Sequence, residues 1–147
     1  AEIVTTASAL LKQTKLTPEV RNEALYFRAK ALQAEGRKQE ALADLVELAK
    51  DTRNVYGAEA KYLVAQTYFD EGETAKAEKE VLDYIEVSTP HAYWLARSFV
   101  LLSDVYVKLD RKMEAKQYLL SLQQNYQAND DIAGMIESRL AKLKSVK

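Results

Sequence analysis

The 147 residues carry 21 basic and 22 acidic side chains, a net charge of -1, with 48% hydrophobic and 29% charged residues. This is the composition of an ordinary folded domain with room for one sizeable core, not of a disordered segment. The charge balance argues against a general phosphate-backbone binder, the lack of cysteine removes disulfide and thiolate chemistry, and no apolar run approaches the roughly 20 residues that span a bilayer.

Only two prolines and four glycines interrupt a chain rich in Ala, Leu, Glu, Lys and Gln, so an all-helical fold is expected. No signal peptide is visible, and a chain that opens on Ala1 reads as a processed or excised piece. In chain order, residues 1–16 suit a short helix with Ile3, Ala7, Leu10 and Leu11 on one face. Thr17-Pro18-Glu19 then restarts the helix: a capping hydroxyl, proline at the first helical position and an acid in the first turn. The next helix is expected from Pro18 to about Glu35, with an apolar stripe of Val20, Ala24, Phe27, Ala31 and Leu32, closed by Gly36 in the left-handed conformation. Another runs from about Lys38 to Lys50 and buries Ala41, Leu45 and Leu48, with Asp51-Thr52 as break and cap.

The following helix is expected over 53–71, with Tyr56, Ala60, Leu63, Val64, Thr67 and Tyr68 inward and Gly72 at its end. Residues 74–87 form the next, burying Ala77, Val81 and Tyr84, and Thr89-Pro90 repeats the earlier restart. The most apolar helix begins at Pro90 or His91 and runs to Leu109, where Asp110-Arg111 turns the chain without a glycine. A helix over 112–126 buries Ala115, Leu119 and Leu122. Asn129-Asp130-Asp131 caps a last one that aligns Ile132, Ile136, Leu140 and Leu143, and the tail 144–147 should fray.

These segments repeat. Ala41, Ala77 and Ala115 superpose, and the same registers align Gly36, Gly72 and Asp110 at the turn. Ala29, Ala65 and Ser103 coincide at a small position, Leu32, Tyr68 and Tyr106 near the end of each first helix, and Val20, Tyr56 and Trp94 at its start. Small residues let two antiparallel helices cross closely, large ones fill the gaps, and such pairs must stack to bury their apolar faces.

On these residues the chain resembles the tetratricopeptide repeat family over about 18–126. The family's small first-helix residue is met by Ala29, Ala65 and Ser103, its following aromatic by Tyr68 and Tyr106, with Leu32 as a departure, and its second-helix alanine by Ala41, Ala77 and Ala115. Its later large residue is met by Leu45, Val81 and Leu119. The first-helix tryptophan is absent at Leu25, Lys61 and Phe99, the closing proline appears only as Pro90, and the period is slightly longer than the family's usual one. The resemblance implies an all-α, right-handed α-solenoid in one domain: a partial-repeat helix over 1–16, repeats over 18–52, 53–89 and 90–128, and a capping helix over 130–147. The segment AEKEVLDYIEVSTPHAYWLARSFVLLSDVYV further resembles the C-terminal arrays of long tetratricopeptide proteins of Bacteroidetes-type bacteria, which implies a periplasmic or cell-envelope location.

In that family first-helix residues line a concave groove that binds peptides. By resemblance the lining here includes Glu23, Tyr26, Lys30, Gln33 and Ala34, then Glu59, Tyr62, Gln66, Phe69 and Asp70, then Arg97, Val100, Asp104, Val107 and Lys108. Tyr26, Tyr62, Gln66 and Phe69 are the expected central contacts, exposed aromatics and amides suiting an extended segment or a helix. The lining is mixed in charge and lacks the lysine and arginine cluster with which chaperone-binding members grip a carboxylate. A protein or peptide partner is implied, and no nucleic acid.

Other features read as structure. Trp94 shares the register of Val20 and Tyr56 and is expected to pack between repeats, His91 is expected as an exposed loop residue, and Asn129-Asp130-Asp131 lacks the glycine and glutamate of a calcium loop. Lys142 and Lys144 suit a solvated helix end. No phosphate-cradling loop, nucleophile elbow or His-Glu helix motif occurs, so no enzyme, cofactor or metal is expected. The chain opens on an apparent second helix and closes on an apparent first helix. It is therefore expected either to be cut from a longer array or to cap itself by dimerising, and the alternative function is a structural spacer or assembly scaffold of a larger bacterial envelope protein, self-associating through its terminal helices.

Overall fold

The computed structural model describes residues 1–13, 15–87 and 89–144, so the expected fraying of the last residues lies mostly outside the described part. The described residues form eight helices and no sheet: α1 (Glu2–Leu11), α2 (Pro18–Ala34), α3 (Lys38–Leu48), α4 (Val55–Asp70), α5 (Thr74–Val87), α6 (Ala92–Lys108), α7 (Lys112–Asn125) and α8 (Ile132–Lys142). Each packs on its neighbours in sequence, in pairs set side by side. The even-numbered helices also touch one another in a row from α2 to α8, whereas the odd-numbered ones meet only their sequence neighbours.

The turn inside each pair is built the same way three times. At the end of α2 the Gly36 amide donates to the Gln33 carbonyl (3.0 Å) and the Arg37 amide to the Leu32 carbonyl (2.9 Å). Gly72 and Glu73 repeat this on Phe69 and Tyr68 (3.1 and 2.8 Å), and Asp110 and Arg111 on Val107 and Tyr106 (3.1 and 2.7 Å). This double bond needs one left-handed residue, supplied by Gly36 at φ 77°, Gly72 at φ 79° and, without glycine, Asp110 at φ 60°. An ion pair one turn apart follows each time, Arg37–Glu40, Glu73–Lys76 and Arg111–Glu114, with its polarity reversed in the middle copy.

Ala29, Ala65 and Ser103 are buried, as are Ala41, Ala77 and Ala115, in keeping with the close crossings that the repeat register predicts. The equivalent second-helix positions Asp44, Glu80 and Tyr118 each meet a different chemistry, from the register-matched Lys61 and Phe99 in the second and third copies and, in the first, from Arg28, one turn beyond the matching Leu25. In the first, Arg28 grips Asp44 through two bonds of 2.8 and 2.6 Å. In the second, Lys61 meets Glu80 at 2.6 Å. In the third, Phe99 and Tyr118 stack at 6.1 Å between ring centres.

Several helix ends differ from expectation. Helix α1 stops at Leu11, not Leu16, because the amides of Lys12 and Gln13 turn back on Ala9 and Leu10, and Thr17 before Pro18 is held extended. Thr17 does cap α2, its hydroxyl accepting from the Val20 amide at 3.2 Å. The cap of α4 is Asn54 rather than Asp51-Thr52: its side chain accepts from the Tyr56 and Gly57 amides at 2.8 and 3.3 Å. Pro90 does not open α6, which starts at Ala92. Thr89 accepts from the His91 amide (3.1 Å) and donates to the Thr52 carbonyl (2.6 Å), tying this loop to the preceding one. The apolar stripe expected on α2 is split, with Ala24 and Leu32 buried and Val20 and Phe27 exposed.

Candidate partner-binding face

The row of even helices carries the candidate contact residues, and three polar links bind the row together. Between α2 and α4, Glu59 receives the Tyr26 hydroxyl at 2.9 Å and the Lys30 ammonium at 3.0 Å. Between α4 and α6, Arg97 donates to the Tyr62 hydroxyl at 3.0 Å and lies over the Tyr62 ring, while Tyr62 donates to Gln66 and Gln66 to Asp70, both at 2.8 Å. Between α6 and α8, Arg139 grips Asp104 through two bonds of 2.8 and 3.0 Å. Burial, reinforced by Glu59, pushes the Tyr26 hydroxyl up to about 12, and burial likewise raises Tyr62 against the opposing pull of Arg97. Both phenols stay protonated at neutral pH and serve as fixed donors.

This arrangement corrects part of the expected lining. Tyr62 is only 6% exposed and Val100 only 3%, so neither presents a free surface. Tyr62 is consumed by packing on Trp94, at 5.8 Å between ring centres, and by Arg97. Trp94 packs against the large core of the C-terminal half, as its register predicts. Gln33 and Phe69 are half-buried and Asp70 is exposed. His91 is half-buried rather than exposed: its Nε2–H donates to the Arg53 carbonyl at 2.8 Å, bracing one loop on the next. Asp130 accepts the Ile132 amide and Asp131 the Tyr93 hydroxyl, so this acidic run braces the start of α8; no group suited to a metal occurs among the described residues.

Open space lies at the two ends of the row. At the C-terminal end a cleft of about 710 Å³ opens between α6, α7 and α8. Phe69, Val107, Leu119 and Leu143 supply its apolar walls, and Lys108, Lys112 and Lys142 come from three different helices to its rim. Of the cleft's residues, Phe69, Asp104, Val107 and Lys108 belong to the expected lining, whereas Lys112 and Arg139 do not. The repeat register carries no signal for Arg139, because it aligns Arg97 with Met135 and Asp104 with Gln66 rather than with Tyr62. At the N-terminal end a second groove of about 400 Å³ lies between α1 and α2 and exposes Ile3, Val20 and Phe27.

Comparison with protein-family models, with curated proteins and with solved structures finds no match for this chain.

Proposed function

We propose that the chain is a tetratricopeptide-like right-handed solenoid that acts as a non-catalytic protein-interaction module, with the even helices as its concave wall. The three superposable turns and the paired small residues support the family reading. The observation that carries the function is the C-terminal cleft. Its lining combines apolar Phe69, Val107, Leu119 and Leu143 with the mutually paired Asp104 and Arg139, and no ion pair engages Lys108, Lys112 or Lys142 among the described residues. An extended peptide with acidic residues flanking one or two apolar side chains matches this pattern: carboxylates meet the lysine rim, and an apolar side chain enters between Phe69 and Val107.

A fluorescence-anisotropy titration of labelled acidic-apolar peptides tests the reading. Lys108→Glu with Lys112→Glu removes binding of these peptides, Phe69→Ala weakens it, and added salt weakens it because the lysines are exposed. Equal affinity in all variants, each shown by circular dichroism to be folded, overturns the assignment. Binding that is insensitive to salt but lost in Phe69→Ala overturns the acidic part alone.

A second reading, that the chain is a spacer or assembly scaffold within an envelope protein, draws on a different observation, the exposed apolar groove between α1 and α2.

A further inference from the structure

The chain's arginines pair with carboxylates: Arg21 with Glu47, Arg28 with Asp44, Arg37 with Glu40, Arg53 with Asp51, Arg111 with Glu114 and Arg139 with Asp104. Among the described residues Arg97 alone has no such partner. Its guanidinium donates instead to the Tyr93 hydroxyl at 3.1 Å and the Tyr62 hydroxyl at 3.0 Å. Each phenol donates onward, Tyr93 to Asp131 and Tyr62 to Gln66, so the cation is fixed in place by neutral groups and keeps its charge. The repeat register gives the reason. In the preceding step the equivalent of Arg97 is Glu59, which meets the oppositely charged Lys30 at 3.0 Å, but the equivalent of Lys30 beside Arg97 is the neutral Gln66.

Arg97 lines a hollow of about 100 Å³ in the middle of the row, together with Tyr62, Gln66, Asp104 and Arg139. Asp104 and Arg139 cancel each other through their two bonds, which leaves the hollow one positive charge in surplus. That surplus suits one carboxylate better than a dianionic phosphate. The acids reached along the bonds from Arg97, Asp131 beyond Tyr93 and Asp70 beyond Gln66, each stand behind a neutral side chain. The Arg97 Nε–H has no acceptor among the described residues and is not sealed from solvent, so the planar fork still has donors to offer an oxyanion. Arg97 is half-buried against the rings of Tyr62, Tyr93 and Trp94, and an ion pair formed there is less screened than one at the exposed lysines of the cleft.

We propose that Arg97 is the seat of a side-chain carboxylate of a bound peptide, with Tyr62 and Tyr93 holding the guanidinium while its unused N–H groups donate to the two carboxylate oxygens. This rests on the peptide-binding reading and deepens it. Asp104 and Arg139 line both this hollow and the lysine-rimmed cleft, so the two share a wall. A peptide seated in the cleft therefore brings an aspartate or glutamate to Arg97. The lysine rim attracts acidic residues diffusely, as mobile point charges, whereas Arg97 fixes one of them at a single position.

Nuclear magnetic resonance of the full chain, read at the arginine Nε–H signals, tests the proposal. The probe is N-acetyl-glutamate N-methylamide, a glutamate blocked at both ends, with its glutamine counterpart as control. The Arg97 signal is expected to shift saturably with the glutamate probe and to stay in place with the glutamine one, and Arg28 and Arg139, already gripped by carboxylates, are expected not to respond. The shift is expected to persist in Lys108→Gln with Lys112→Gln. In the labelled-peptide titration Arg97→Gln, with its helix content unchanged, is expected to weaken binding about tenfold or more. An unmoved Arg97 signal, equal shifts with the glutamine probe or at the exposed Arg21 and Arg53, loss of the shift in the lysine variant, or saturation by inorganic phosphate at lower concentration than by the glutamate probe overturns the assignment. A saturable Arg97 shift beside unchanged peptide affinity in the lysine variant supports this site and overturns the role of the lysine rim alone.

Discussion

The Tyr84 hydroxyl donates a 3.0 Å hydrogen bond to the backbone carbonyl of Ala58, and Tyr84 has no exposed surface. The bond locks α5 to the start of α4 in the central pair, at a position filled by Leu48 and Leu122 in the flanking ones. Tyr84→Phe is expected to cost about 1 kcal/mol by losing one buried hydrogen bond. Tyr84→Ala, which also leaves a cavity, costs roughly 3–5 kcal/mol. Urea denaturation followed by circular dichroism reads both.

The same tyrosine makes the fold sensitive to alkali. Burial pushes its hydroxyl up to about 12, against about 10 in an unfolded chain. The stabilisation is therefore complete below pH 10 and is lost as pH climbs from about 10 to about 12, by at most about 1.4 kcal/mol per pH unit. Tyr26, also raised to about 12, adds to the same decline. Melting temperatures across this window are expected to fall less steeply for Tyr84→Phe than for the unaltered chain.

Two helical glycines are expected to respond in opposite directions. A Cβ on Gly57 would lie 1.9 Å from the Asp51 carbonyl oxygen and 2.7 Å from that of Leu48, so only glycine lets α4 pass the end of α3. Gly57→Ala forces the α3–α4 turn apart and costs roughly 3 kcal/mol or more. Gly134, inside α8, has open space at its Cβ position, and Gly134→Ala stabilises by about 0.5–1 kcal/mol. Chemical denaturation of the two variants side by side checks the contrast.

The third turn carries an avoidable strain. Asp110 stands at φ 60° where the two equivalent turns have glycine. Asp110→Gly relieves a left-handed residue bearing a Cβ and is expected to raise stability by about 0.5–1 kcal/mol, read from the urea midpoint.

Lys61 and Glu80 form an ion pair with side chains only 12% and 20% exposed. Removing one partner strands the other charge, so Glu80→Ala costs roughly 2–3 kcal/mol. The double variant Lys61→Phe with Glu80→Tyr copies the Phe99–Tyr118 pair of the next repeat and is expected to be better tolerated than the sum of its single changes. A double-mutant cycle giving a coupling below about 0.5 kcal/mol counts against the equivalence of the two slots.

Most of the helical architecture can be read from local signals. Gly36, Gly72 and the Thr17-Pro18 cap act within one turn of chain, and the alanines at matching registers mark crossings that every copy needs. Such features are legible because their energetics depend on a few neighbouring residues. The departures at helix ends are also local: Asn54 outcompetes Asp51-Thr52 as a cap because its side chain reaches two amides, and Thr89 is spent on the preceding loop before it can start α6.

The candidate site is legible only in part. Spacing alone places Tyr26, Lys30, Glu59, Tyr62 and Arg97 along one row, but does not tell a contact residue from a strut. Tyr62 is closed off because Trp94 and Arg97 arrive from the next even helix, and burial depends on what arrives. The lysine-rimmed cleft is likewise invisible along the chain, where the charges look evenly mixed. Lys108, Lys112 and Lys142 become one electrostatic feature only when α6, α7 and α8 meet. Helix identity, turn chemistry and repeat register follow from interactions within a turn or a period, whereas exposure and charge clustering follow from packing between helices.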